Sequence, residues 1–270
     1  MRTMWMLGVM LMWGMPVMAV NFTVVKEAPM QGGFVVGKVS PRATVRLNNQ
    51  KVDVAPDGYF VVGFERFAAL KQNLRVCEGT KCVTRDVMLA KRDYKVQHVQ
   101  GVPGKTVNPD KAQQARMAKD SKAIGASRTQ FLNQAGFAGP FVLPVQADVS
   151  GVFGSRRTYN GEERSWHKGH DLAAPTGTLV RAPADGVVRM AQDTFMNGNL
   201  VVLDHGLYLT SLYAHLDSMS VHVGQIVKRG DILGAVGTTG RSTGPHLHWG
   251  MNWKTTPIDP ALWVGHTYPQ

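Results

Sequence analysis

The segment "GPHLHWG", residues 244–250, carries two histidines separated by a single leucine. Successive side chains of a β-strand point to opposite faces of the sheet. His246 and His248 would therefore share one face, about 6–7 Å apart, while Leu247 faces the core. That separation is too long for contact between the two rings, but both could reach one small centre. Taken alone, the pattern also fits two partly exposed strand histidines without a chemical role.

A second pair of polar side chains lies upstream, in "WHKGHDLAAPTGTLV". His167 and Asp171 stand four residues apart, and Gly169 and the following Ala-Pro-Thr-Gly argue against a helix. We expect a loop that runs into a strand, with Gly169 allowing the backbone to turn so that both side chains converge. An imidazole and a carboxylate are two of the three protein ligands of a catalytic zinc site, and the H-x-H strand could supply the third. An exposed loop pair without function is the alternative for these two residues by themselves.

These motifs and their surroundings resemble the lysostaphin/LytM-type zinc metallo-endopeptidases of bacterial cell walls. The resemblance rests on "GVFGSRR", "HKGHDLAAPTGTLVRAPADGVV" and "LYAHLDSMSVHVGQIVKRGDILGAVGTTGRSTGPHLHWG", and it covers roughly residues 140–260. It implies a compact antiparallel β domain with a narrow groove, in which one zinc ion serves to cleave peptide bonds in peptidoglycan cross-bridges.

The resemblance also implies roles for particular residues. His167, Asp171 and His248 match the zinc ligands of the family, and His215 of "YAHL" and His246 match its two catalytic histidines. Imidazole titrates near neutral pH, so both could move protons in the reaction, and the sequence leaves open which one is the general base.

Three other residues of this region match the family pattern to different degrees. His205 resembles a structural histidine at a strand end, and His170 occupies a variable position. Arg156 matches an arginine that often precedes the first ligand; it could contact substrate or form only a surface salt bridge.

Two other functions compete with catalysis. Some relatives have lost zinc ligands and activate other wall hydrolases through protein contacts, but this chain keeps all five functional positions. The segment "VGQIVKRGDILGAVG" also resembles the hairpin of biotinyl and lipoyl carrier domains. Those domains carry their attachment lysine in a tight turn, where this segment has none, and they have no use for the histidines. The sequence therefore favours a zinc metallo-endopeptidase, with the silent activator as the alternative.

The chain begins with features of a secretory signal. Arg2 precedes an apolar run from Met4 to about Met15, which Pro16 ends, and Val17-Met18-Ala19 offers small residues for cleavage. The run is shorter than the about 20 residues that span a bilayer. We expect cleavage after Ala19, a periplasmic location and no stable membrane span in the mature chain. No cysteine lies near the junction for lipid attachment.

The mature chain divides into three parts. Residues 20–98 contain short β-branched runs between turn signals such as Asn48-Asn49 and Pro56-Asp57-Gly58, which predicts a small β-sandwich. Residues 99–136 predict a linker with a helix that is capped by Asn108 and ends near Gln134. Residues 137–270 predict the all-β zinc metallopeptidase domain.

The two cysteines and the net charge agree with export. Cys77 and Cys82 flank a four-residue turn, and in an oxidising compartment they would close a small disulfide loop. The net charge of +11 suits acidic surroundings such as cell-wall polymers, and no aromatic-interleaved basic motif of a nucleic-acid module is visible. The expected partners are peptidoglycan as substrate and wall-bound or divisome regulators. The sequence does not decide which cross-link is cleaved. An exported, unlipidated chain favours the D-alanyl link to diaminopimelate over glycine bridges.

Overall fold

The computed structural model describes residues 20, 22–101, 104, 108–159 and 161–265. The predicted signal peptide, residues 1–19, lies outside these ranges, as does His266. The fold is mostly β, as the sequence predicts, with a small N-terminal β domain followed by a C-terminal β domain, which is called the peptidase domain here after the function that its sequence predicts. Within the described ranges, no helix combines the length and apolar character needed to cross a membrane.

The N-terminal β domain consists of two antiparallel sheets with the orders β1-β2-β5 and β4-β3-β6-β7. Its strands are β1 (Thr23–Ala28), β2 (Phe34–Lys38), β3 (Thr44–Leu47), β4 (Gln50–Val52), β5 (Tyr59–Gly63), β6 (Lys71–Glu78) and β7 (Lys81–Met88). Period-two patterning decides which side chains are buried: Leu74 and Val76 lie in the core, and Arg75 between them is exposed.

Two hairpins of this domain agree with the turn signals in the sequence. Asn48 and Asn49 both have positive φ values, 47° and 66°, which suit a two-residue turn between β3 and β4. Cys77 and Cys82 are register partners across the β6–β7 hairpin, and the structure contains the disulfide between them.

The connecting segment contributes one strand and one helix. Strand β8 (Val96–Val99) pairs in parallel with β10 (Arg156–Tyr159), so the boundary expected after residue 98 falls inside a strand. Helix α1 (Lys111–Arg128) lies against β14 (Gly186–Thr194) and β15 (Gly198–Asp204).

The predicted ends of helix α1 are wrong at both termini. Asp110, not Asn108, is the N-cap: its carboxylate accepts the Gln113 N–H, and the Gln113 side chain accepts the Asp110 N–H. The helix ends at Arg128 because the following residues turn to the peptidase domain, where the carbonyl of Leu132 accepts the backbone N–H of Leu207.

The peptidase domain is a ten-stranded sheet whose strands all pair antiparallel, and β10 and β11 form a separate small sheet with β8. Its remaining elements are β9 (Asp148–Gly151), β11 (Glu162–Arg164), β12 (Gly169–Ala173), β13 (Leu179–Arg181), β16 (Leu209–Met219), β17 (Ile226–Val227), β18 (Ile232–Val236), β19 (Leu247–Trp253), β20 (Thr256–Ile258) and a 3-10 helix (Pro260–Val264). The order β16-β19-β12-β9 places the histidine-bearing strands side by side.

The two β domains share one hydrophobic core. Phe34 of β2 stacks on Trp263 of the 3-10 helix at a ring-centroid distance of 3.9 Å, and both side chains are buried. Arg92, which follows β7, forms an ion pair of 2.8 Å with the fully buried Asp259. The peptidase sheet is therefore held from the side by the N-terminal domain.

Candidate metal centre and groove

The H-x-H segment has the strand geometry that its spacing predicts. Leu247 is fully buried in the core, while His246 and His248 lie on the other face with His215 of β16. The ring centroid of His215 is 4.8 Å from that of His246 and 6.1 Å from that of His248. These three rings therefore belong to one site.

Three potential metal ligands meet beside them. His167, Asp171 and His248 each offer one donor atom, and the three atoms lie within 4.8 Å of one another. Asp171 Oδ1 is 3.0 Å from His167 Nε2 and 2.8 Å from His248 Nδ1, and the two ring nitrogens are 3.0 Å apart. The strand register causes this convergence, because Asp171 of β12 stands opposite His248 of β19.

Glycines on either side provide room for these side chains. A Cβ at Gly169 would lie 2.6 Å from His248 Cε1, far inside normal contact distance, and a Cβ at Gly151 would overlap the Asp171 carboxylate. Gly169 lies in β12 without a positive φ, so the sequence interpretation of a glycine-dependent turn there is wrong. Its missing side chain matters because it makes space for the His248 ring.

The tautomer of His167 is fixed by the backbone. Its Nδ1 lies 3.0 Å from the carbonyl oxygen of Val152, which can only accept a hydrogen bond. The ring proton of the neutral imidazole therefore sits on Nδ1, and the Nε2 lone pair faces the two other potential metal ligands, Asp171 and His248.

The electrostatics of the cluster keep its members in the forms that bind a cation. Burial opposes ionisation of Asp171, but the charges of His167 and His248 and their hydrogen bonds together hold the pKa of its carboxyl well below the usual range. Burial lowers the pKa of His248 to about 4, against the opposing influence of Asp171. At neutral pH, Asp171 is thus ionised and His248 is neutral.

This donor set fits a zinc ion. Zinc prefers imidazole nitrogen and carboxylate oxygen at about 2.0–2.2 Å, and a tetrahedral arrangement then separates the ligand atoms by about 3.3–3.5 Å. The observed separations of 2.8–3.0 Å are a few tenths of an ångström shorter. A small outward movement of the three side chains would accommodate the ion and leave a fourth position open.

A second pair of histidines faces the same space without joining the cluster. The Nδ1 of His215 is 2.8 Å from the carbonyl oxygen of Thr239, and the Nδ1 of His246 is 2.8 Å from that of Gly244. In the neutral form of either ring, the proton would therefore sit on Nδ1 and the Nε2 lone pair would be free. Burial, together with the neighbouring histidines, lowers the pKa of His215 to about 3.

His215 also has an unusual backbone conformation. Its φ is +64°, within a strand, where a side chain with a Cβ is strained. Its amide nevertheless donates to the carbonyl of Asn197 at 2.8 Å, and the ring stays buried. Such strain is typical of residues whose position matters for a site.

One cavity of about 470 Å³ is lined by all five of these side chains, namely His167, Asp171, His215, His246 and His248. The wall includes residues that the sequence analysis did not single out, namely Gln97, Ser150, Arg157, Trp166, Lys168, Asn197 and Arg241. Arg157, not Arg156, reaches the cluster: its guanidinium lies 2.5 Å from Asp171 Oδ2. The pair "RR" before the first ligand was a signal, but a strand exposes alternate faces and the sequence could not say which arginine turns inward.

The other histidines have different surroundings. His205 is fully buried and bonded to the Asp185 carbonyl and to Ser211 Oγ, which fits a structural position. His222 and His98 are exposed, and Nδ1 of His98 contacts the Thr158 hydroxyl.

Comparison with known proteins agrees with this arrangement. Residues 165–260 match the sequence profile of Peptidase family M23. A segment covering 43% of the chain is 41% identical over 117 residues to the DD-carboxypeptidase/endopeptidase Mpg of Neisseria meningitidis, of which it covers 27%. Another, covering 41% of the chain, is 40% identical over 112 residues to the peptidoglycan DD-endopeptidase ShyA of Vibrio cholerae, of which it covers 26%. The chain thus spans about a quarter of the length of these relatives.

Similarity to a solved structure extends over more of the chain. The crystal structure of a candidate M23 peptidase from Pseudomonas aeruginosa superimposes with a TM-score of 0.67 at 28% identity, covering 89% of this chain and 97% of that one. The likeness therefore includes the N-terminal β domain as well as the histidine-bearing sheet. Residues 165–260 therefore form a domain of peptidase family M23.

Proposed function

We propose that this protein is a zinc-dependent endopeptidase that cleaves peptide cross-links of bacterial peptidoglycan in the periplasm. The observation that carries the proposal is the meeting, in one groove, of a His-Asp-His set of metal ligands with two further histidines whose Nδ1 atoms face backbone carbonyls. The relative named as a peptidoglycan DD-endopeptidase supports the substrate class. The predicted signal, residues 1–19, and the Cys77–Cys82 disulfide support export.

In this mechanism, His167, Asp171 and His248 hold the metal. A bound zinc ion supplies Lewis acidity, which polarises a carbonyl and makes water nucleophilic near neutral pH. The Nδ1 of His215 faces the Thr239 carbonyl, so the Nε2 of the neutral ring is available to accept a proton from the attacking water. His246 lies beside it, and its ring, once protonated at Nε2, can donate to the developing oxyanion or deliver that proton to the leaving amine. The two rings could also exchange these tasks.

The groove also limits what can bind. The cavity has the volume of a few residues of extended peptide, and its open wall carries Lys168 and Arg241. Peptidoglycan stem peptides contain free carboxylates, which such side chains attract.

The competing proposal is a catalytically silent relative that activates other wall hydrolases. The complete donor set and the two oriented histidines argue against it, because a partner-binding function does not need them. The two proposals make different predictions for the purified protein.

Digestion of purified muropeptides, with products identified by mass spectrometry, separates these proposals. The zinc-loaded chain should cleave cross-linked muropeptides, and removal of the metal by a chelator should abolish cleavage. His248→Ala should lose both bound zinc and activity, whereas His246→Ala should lose activity and keep about one equivalent of zinc. His222→Ala, an exposed histidine, serves as the control and should change neither quantity.

Three outcomes would count against the proposal. Zinc binding without any cleavage, combined with stimulation of another hydrolase, would favour the silent activator. Full zinc content in His248→Ala would contradict the assigned ligand set. Loss of zinc in His246→Ala with retention in His248→Ala would reverse the two roles within "HLH".

A further inference from the structure

The two oxygens of the Asp171 carboxylate have different partners. Oδ1 faces the nitrogens of His167 and His248, at 3.0 and 2.8 Å. Oδ2 accepts a hydrogen bond from the guanidinium of Arg157 at 2.5 Å, and the side chains of this ion pair are only 12% and 8% exposed. One oxygen is thus directed to the proposed metal position and the other is held away from it.

Arg157 is itself held by a residue from outside the M23 domain. Its Nε donates to Gln97 Oε1 at 3.1 Å, and Gln97 Nε2 donates to the carbonyl of Ser150 at 3.1 Å. Gln97 lies on β8, directly opposite Arg157 in the parallel β8–β10 pair. Neither residue lies within the 165–260 segment that matches the family, so the contacts that hold Arg157 in place come from outside that segment.

We propose that Arg157 is a positioning residue for the metal site and that Gln97 sets its orientation. By occupying Oδ2, Arg157 leaves Asp171 only Oδ1 with which to bind a cation. A carboxylate that binds through one oxygen preserves the low coordination number that suits zinc, whereas Mn²⁺ accepts additional oxygen ligands. The inference rests on the metal site of the proposed function and concerns which metal that site selects.

Two effects of Arg157 on metal binding oppose each other. Its positive charge repels every divalent cation, so its removal raises their affinities together. Its contact with Oδ2 controls the geometry of the carboxylate, which affects zinc and manganese differently. The ratio of the zinc affinity to the manganese affinity cancels the shared charge effect and isolates the geometric one.

The test measures this ratio for the full chain by competition with a chromogenic chelator. In Arg157→Met, we expect the zinc-to-manganese affinity ratio to fall about tenfold or more. Losses of metal affinity in this range are found when the hydrogen-bond partners of metal ligands are removed. The cobalt-substituted variant should also absorb visible light more weakly than the cobalt-substituted parent, since a second carboxylate oxygen raises the coordination number. Arg156→Met is the matched control, because this neighbouring side chain is exposed, and it should leave the ratio unchanged.

Gln97 provides a second route that leaves the ion pair in place. Gln97→Leu should lower the same ratio by a smaller factor. In the Arg157→Met background it should have no further effect if it acts through Arg157, whereas independent contributions would multiply. Circular dichroism of each metal-free variant shows whether it has folded. If Arg157→Met does not fold, the Gln97→Leu single variant decides the question, and an unchanged affinity ratio in it would overturn the inference.

The outcomes separate this inference from the proposed function. A parent chain that binds no zinc would overturn the metal site and the inference with it. A parent that binds zinc, with an unchanged ratio and cobalt spectrum in folded Arg157→Met, would overturn the inference alone. If the effects of Gln97→Leu and Arg157→Met on the ratio multiply, Gln97 does not act through Arg157, and that part of the inference is wrong.

Discussion

At the scale of single residues, the histidines of the groove are oriented by backbone carbonyls. The Nδ1 atoms of His167, His215 and His246 each lie 2.8–3.0 Å from such an oxygen. A carbonyl can only accept, so each neutral ring directs an Nε2 lone pair away from it. His248 is the exception, because its Nδ1 faces Asp171. The carbonyl contact therefore orients the rings, but it does not separate proposed ligands from proposed catalytic residues, because His167 shares it with His215 and His246.

The space beneath His248 leads to a prediction about Gly169. An alanine there would place its Cβ 2.6 Å from both His248 Cε1 and the Trp249 carbonyl oxygen, and a backbone oxygen cannot move easily. Gly169→Ala should therefore displace the His248 ring and lower zinc affinity at least tenfold, in the range seen when ligand orientation is lost. Gly139→Ala is the control, since its Cβ would meet open space. Equal zinc affinity in both variants would contradict the role given to Gly169.

The sequence predicted part of this site for physical reasons. A period of two placed His246 and His248 on one face, and the donor types indicated zinc. The supports could not be predicted in the same way, because carbonyls of Val152, Thr239 and Gly244 carry no side-chain signal. The carbonyls of Val152 and Thr239 lie 15 and 24 residues from the rings that they contact, so a local pattern does not encode their positions.

At the scale of elements, the register between strands assembles the cluster. Asp171 stands opposite His248 across β12 and β19, and Ala214 stands opposite His248 across β19 and β16. A slip of one residue would turn every side chain of a strand to the other face. The buried Leu247 and Trp249 on β19 oppose such a slip, because their large side chains would then face the groove.

Strand β1 carries an unusual lysine between the two domains. The Nζ atom of Lys26 is buried and has no hydrogen-bond acceptor within the described part of the chain. It lies 4.6 Å from the ring centroid of Trp263 and 4.8 Å from that of Phe141. The rings attract the charged ammonium, but burial prevails and lowers the pKa of Lys26 from 10.5 to about 8.

This lowered pKa predicts a dependence of stability on pH. Between pH 8 and 10.5, the unfolded chain binds a proton at Lys26 that the folded chain does not, so the stability rises with pH through that window. Below pH 8 both states are protonated and the full burial penalty is present. Lys26→Met should therefore raise Tm at pH 7, and its advantage over the parent should shrink as the pH approaches 10.5.

Thermal melts from pH 7 to 10.5 would measure this difference. Lys91→Met removes a lysine whose side chain is 73% exposed, so it should follow the parent across the range. A Lys26→Met variant that is less stable than the parent at pH 7 would mean that attraction to the rings exceeds the cost of burial.

At the scale of the whole molecule, the N-terminal β domain is part of the environment of the peptidase sheet. The buried residues of both domains form one cluster, in which Phe34 packs on Trp263. Strand β5 also lies close to β19, the strand that carries His248. Residues 20–98 and 137–270 are predicted from the sequence as separate domains, because a local pattern shows where strands begin and end but not which apolar faces meet.

The shared core predicts that residues 137–270 are poorly stable alone. Their isolation would expose Trp263 and Phe141 to water and leave the buried Asp259 without Arg92. Loss of one partner of a buried ion pair costs about 3–5 kcal/mol by itself. We expect the full chain to unfold in one transition and the 137–270 fragment to unfold at a markedly lower temperature, with zinc present in both samples.

Arg92→Met in the full chain should produce part of this loss of stability, whereas Lys91→Met, which changes the neighbouring exposed residue, should not. Should the fragment melt at the same temperature as the full chain, the peptidase sheet would be independent of the N-terminal domain, and the contacts of β8 would be the remaining link between that domain and the metal site.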